Sequence, residues 1–104
     1  MSSIILKTNK AASIRDFLAH HPIVRIKFRK VNGDERTMIA TNDPRLMSED
    51  ARPFGGGTTH NYHTSYPVYD LHQQDWRSFK PDNLIEMEAL DGVTVGLDGS
   101  VNIN

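Results

Sequence analysis

The chain has no cysteine, which excludes a disulfide framework and thiolate chemistry and fits a reducing compartment. It also lacks any apolar run approaching the roughly 20 residues that cross a bilayer. Its first ten residues carry one apolar patch, Ile4 to Leu6, without the layout of a signal peptide. These absences predict a soluble, cytoplasmic protein with no membrane contact. Charge of either sign is not in excess: the formal net charge is −1, so the molecule as a whole is no magnet for polyanions.

The charge that is present is unevenly divided. Residues 1–41 hold eight Lys and Arg against Asp16, Asp34 and Glu35, whereas residues 42–104 hold four against ten acids. A bipolar field of this kind bears on partner choice and association rate rather than on fold. At 104 residues the chain is long enough for one domain with one modest core.

The strongest local signal is residues 23–41. Val24, Ile26 and Phe28 alternate with Arg25, Lys27 and Arg29 into Asn32-Gly33, the mark of a β-hairpin with one buried face, and a type I′ turn is expected there. Upstream, Ser13 as cap, Asp16 three residues on, and the apolar stripe Ile14, Phe17 and Leu18 predict a helix over about 13–20, ended by Pro22. Residues 42–65 show no period, with two prolines and Gly55-Gly56-Gly57, and read as a long loop, a length that in a compact domain is functional or disordered. Short strands resume over 66–71, 75–79 and 84–90, and a last hairpin over 93–103 turns at Asp98-Gly99. One helix and several short antiparallel strands with frequent turns predict a mainly β protein, a small barrel or sandwich.

The order of the blocks carries a resemblance. Lys30-Val31-Asn32-Gly33-Asp34-Glu35-Arg36-Thr37-Met38-Ile39-Ala40-Thr41 is followed, after a variable stretch, by Val68-Tyr69-Asp70, by Trp76-Arg77-Ser78-Phe79, and by a closing apolar strand with Ile85. Over residues 23–88 this resembles the small phage-encoded Sm-like, SH3-type β-barrel family related to the WYL domains. The resemblance implies a small antiparallel SH3/Sm-like barrel, a phage origin with action in the host cytoplasm, and binding rather than catalysis. The N-terminal helix and the loop 42–65 depart from the family's pattern.

Candidate site residues follow from charge and ring type. Arg25, Lys27 and Arg29 share one strand face at about 6.5–7 Å spacing, close to the phosphate repeat of an extended single strand. Lys30 and Arg36 flank the turn, and Arg77 lies on the face opposite Trp76 and can join the cations. The same row is also the ordinary solvated outer face of a strand, where Lys and Arg discourage edge pairing. Glu35 is placed to quench it by pairing with Arg29 or Lys30. Cations alone do not distinguish DNA, RNA and acidic protein.

In the loop, Phe54, His60, Tyr62 and His63 are candidate contacts. His60 and His63 lack the further convergent ligands of a zinc site, so no metal is expected. The triple glycine lacks the lysine and the following helix of a phosphate-binding loop. Trp76 reads as core, needing a partner for its indole N–H. Asp70 reads as a turn carboxylate accepting backbone N–H groups.

No catalytic constellation stands out, and neither an enzyme nor a cofactor is expected. The reading is an accessory module that binds nucleic acid or a host macromolecule through the basic hairpin and the long loop. Inhibition of a host enzyme or defence protein, and binding of a nucleotide-like ligand, are its alternatives. Exposed strand edges make a homo-oligomer an expected state.

Overall fold

Strand β2 (Val24–Arg29) has both of its edges paired: β3 (Glu35–Thr41) on one side and β6 (Leu84–Ala89) on the other. Around it six strands form one antiparallel sheet in the order β1-β6-β2-β3-β4-β5, where β1 is Ile5–Leu6, β4 Tyr66–Asp70 and β5 Asp75–Phe79. Two further strands, β7 (Val93–Val95) and β8 (Val101–Ile103), pair with each other. The computed structural model describes residues 4–51, 64–90, 93–95 and 101–103. The glycine triplet and the Asp98-Gly99 turn lie outside the described residues.

The period-2 pattern of β2 sorts as alternation requires. Val24 and Ile26 are fully buried and face Ala40 and Met38 of β3 and Ala89 and Met87 of β6. Helix α1 (Ala11–His20) covers this face with Ala11, Ile14 and Leu18, the i, i+3, i+7 stripe of an amphipathic helix. Each of the larger aliphatic side chains here contributes about 1.5–3 kcal/mol by leaving water.

The helix starts two residues before Ser13, with Lys10 at its N-cap and no side-chain cap. Burial of Ala11 on the helix's inner stripe draws that turn into the core, which outweighs a capping pattern worth about 1 kcal/mol. At the other end His21 is extended at φ −130°, as the residue before Pro22 must be, and its N–H closes on the Phe17 carbonyl.

The opposite face of the sheet has its own apolar cluster, formed by Ile23, Ile39, Met47, Tyr69 and Leu71 with Trp76 packed against it. Met47 reaches it because residues 42–51 are not featureless. They make two 3₁₀ turns, Pro44–Leu46 and Glu49–Ala51. The first is capped by the Asp43 carboxylate, which accepts from the Arg45 N–H. The hydrogen-bonded Arg45 guanidinium holds the Asp43 carboxyl below its ordinary range. The second turn is pinned by the Trp76 indole N–H donating to the Ala51 carbonyl at 2.8 Å. Tyr69 meets Trp76 edge-on, with ring centroids 5.9 Å apart.

The β2–β3 turn differs from the expected type I′. Gly33 has φ +93°, but Asn32 is not among the residues with positive φ. The Gly33 N–H donates to Lys30 O and the Lys30 N–H to Asp34 O, so the loop has three residues and ends in a left-handed glycine, the type I turn plus bulge arrangement. Asn32 instead acts through its side chain, accepting from the Asp34 N–H at 3.0 Å. At the β4–β5 turn the buried Asp70 carboxylate, 3% exposed, accepts from the N–H groups of His72 and Gln73.

Two stability measurements check this account. Gly33→Ala meets no atom within 4 Å, yet it is expected to lose about 1–2 kcal/mol in urea unfolding through its left-handed backbone alone. Asp70→Ala leaves two turn N–H groups without their acceptor and is expected to cost about 1–3 kcal/mol by the same assay.

Candidate functional site

The curl of the sheet brings together residues that the ladder keeps apart. Strands β3 and β4 pair only at Ala40–Asp70 and Thr41–Tyr69, after which the β4–β5 hairpin diverges and folds over the face that carries Phe28. Phe79, the last residue of β5, returns to Phe28 near the end of β2, with ring centroids 5.9 Å apart, and Tyr66 packs on Phe79 at 5.8 Å. Beside this contact lies an open cleft of about 580 Å³.

Its floor is apolar: half-buried Phe28 and buried Met38 and Phe79. Among the described residues its rim carries five cations, Arg29, Lys30, Arg36, Arg77 and Lys80, all exposed, and no carboxylate. Thr64, Ser65, Ser78, Asn32 and Asn83 add neutral polar groups, and Val31, 88% exposed, stands at the hairpin tip. Among the described residues, none of these five cations is in an ion pair. Arg29 donates to the Gly33 carbonyl at 3.1 Å, which holds its head over the turn.

The row of cations read from the sequence is therefore divided. Arg25 and Lys27 lie on the opposite face and are neutralised there. Arg25 meets Glu88 at 2.6 Å and Lys27 meets Glu35 at 3.3 Å, while Glu86 stands directly across from Lys27 in the β2–β6 register. Glu35 does quench the patch, but through Lys27 rather than Arg29 or Lys30, by a diagonal cross-strand contact. Arg25 and Lys27 therefore stand apart from the cleft that Arg29, Lys30, Arg36 and Arg77 line.

Arg36 sits across from Phe28 and Arg77 across from Val68, which places both on the cleft face. Lys80 and Asn83 were missed in the sequence. They belong to the Lys80-Pro81 entry into the 3₁₀ turn Pro81–Asn83, which links β5 to β6, and only the curl brings that turn beside Phe28. Phe54, His60, Tyr62 and His63 lie outside the described residues. Among the described residues no group of three or more His, Cys, Asp or Glu is placed to hold a metal ion, and no helix is long and apolar enough to cross a membrane.

The arrangement suits an anion that also carries an apolar or planar part. The long Arg and Lys stems line the walls while their heads stay in water, and guanidinium forks offer bidentate contacts to phosphate or carboxylate. The ion pairs on the other face are solvent-screened, with side-chain exposures of 42% and 21% for Arg25 and Glu88. The double variant Arg25→Ala, Lys27→Ala is accordingly expected to lose about 1 kcal/mol or less per pair in denaturant unfolding.

Residues 14–85 match the family described as WYL_2, Sm-like SH3 beta-barrel fold. The chain belongs to that family, and the six-stranded antiparallel sheet with its one short helix is its form of the fold. Neither the curated proteins nor the solved structures contain a significant match to the chain.

Proposed function

Starting from membership of this Sm-like family, whose fold is one of binding modules, we propose that the protein is a non-catalytic module that binds ligands of nucleic-acid chemistry in the cleft between the β2–β3 hairpin and β5. The observation that carries this reading is the set of five rim cations around a Phe-lined floor with no carboxylate among the described lining residues. Phosphate supplies the charge that the rim lacks, and a base supplies a flat apolar face for Phe28, the one half-buried ring of the floor. The order of the blocks at Lys30–Thr41 and Val68–Phe79 supports a phage lineage for the module.

The proposal is tested by fluorescence anisotropy of the whole chain with labelled single-stranded DNA and RNA across a salt series. Binding that weakens steeply with salt is expected. Arg36→Ala and Arg77→Ala are each expected to weaken it about tenfold, a loss of the order of one charge-assisted hydrogen bond, while Arg25→Ala with Lys27→Ala leaves it within about twofold. Absence of salt-dependent binding, or a loss confined to the Arg25/Lys27 variant, overturns the assignment.

A further inference from the structure

Resting on that reading, the cleft's size and charge say which part of a nucleic acid it takes. A protein that tracks a continuous single strand spreads cations and stacking rings over about 4–16 nucleotides. The only linear row of cations in this chain at strand spacing is Arg25, Lys27 and Arg29, and its first two members are committed to Glu88 and Glu35. What remains is not a track. It is five cations on one cleft of about 580 Å³, within the range of about 300–1,000 Å³ typical of small-molecule sites.

Such a cleft has room for one or two nucleotides. An internal phosphodiester carries one negative charge. A terminal phosphate carries about −1.5 to −2 at neutral pH and presents three acceptor oxygens, and a polyphosphate carries more in the same space. Arg36 and Arg77 reach the cleft from β3 and β5, strands separated in the sheet by β4. Two forks arriving from different elements suit a group with three free oxygens better than a diester with two. The floor made by Phe28 and Met38 adds a requirement for the base, which an inorganic phosphate cannot meet.

We infer that the cleft is a site for a nucleotide bearing a terminal phosphate, with Arg36 and Arg77 gripping the phosphate and Phe28 facing the base. Two sources share that chemistry: a free nucleotide and the phosphorylated end of a strand.

The test is anisotropy of the full chain with one short labelled single strand prepared with a 5′-phosphate, a 3′-phosphate or only hydroxyl ends, competed with AMP, ATP, adenosine and inorganic tripolyphosphate. A strand with a terminal phosphate is expected to bind at least about tenfold tighter than its hydroxyl-ended form, the gain from one further charge-assisted contact. AMP or ATP is expected to compete where adenosine does not. Strong competition by the free nucleotides assigns the site to them; competition by phosphorylated strands alone assigns it to strand ends.

Arg77→Lys keeps the charge and loses the fork, and is expected to reduce the preference for the terminal phosphate about tenfold with an unchanged melting temperature. Equal binding of phosphorylated and hydroxyl-ended strands overturns the inference and leaves the nucleic-acid reading standing. Competition by tripolyphosphate equal to that by ATP overturns the role of the base. No binding of any of these ligands overturns both.

Discussion

The contact between Phe28 and Phe79, with Tyr66 packed on the second ring, is the constraint on which the molecule's shape depends. Backbone pairing alone leaves an open sheet with β1 and β5 at its edges. The aromatic contact joins the end of β5 to that of β2 without a hydrogen-bond ladder and so curls the sheet over Val24, Ile26, Met38 and Met87. Rings with centroids less than 6 Å apart add about 0.5–1.5 kcal/mol beyond the area they bury. The same pair floors the cleft, so the element that shapes the fold also places the site.

The second face of the sheet works differently. There the strands carry apolar residues at one end and alternating charges at the other. The apolar end is covered by the two 3₁₀ turns that Trp76 and Met47 anchor. The charged end is left to solvent with its cations paired to acids from β3 and β6. Such pairs add little stability at this exposure, but they remove two positive charges from any outward field. Free positive charge is thereby concentrated on the cleft face, and this explains how a chain of net charge −1 presents a basic site.

Much of the fold was legible because its signals are local. The alternation Val24–Phe28, the apolar stripe of α1, the break at Pro22 and the strand DWRSF each act within a few residues, and each is found in place. Asp70 was legible too, since a short carboxylate at a strand end has nearby N–H groups to accept from. What was not legible shares a cause. Asn32-Gly33 is compatible with two turn types, and the three-residue loop prevailed because the Asn32 side chain can bond the Asp34 N–H. The 3₁₀ turns of residues 42–51 have no period of their own and follow from burial of Met47 and the Trp76–Ala51 hydrogen bond. Of the candidate cations, Lys30, Arg36 and Arg77 were placed together, Arg25 and Lys27 were not, and Lys80 went unnoticed in the acidic half of the chain.

By itself, the sequence determined which side of β2 is apolar, that a hairpin turns at Asn32-Gly33 and which family's blocks follow one another, because side-chain period and turn chemistry are set between near neighbours. Only the tertiary structure decided which charges are free. Arg25 is paired with Glu88, 63 residues away, and Arg36 and Arg77 line one cleft only because the sheet curls. Neutralisation and convergence depend on register and curvature between distant segments, which no local pattern encodes.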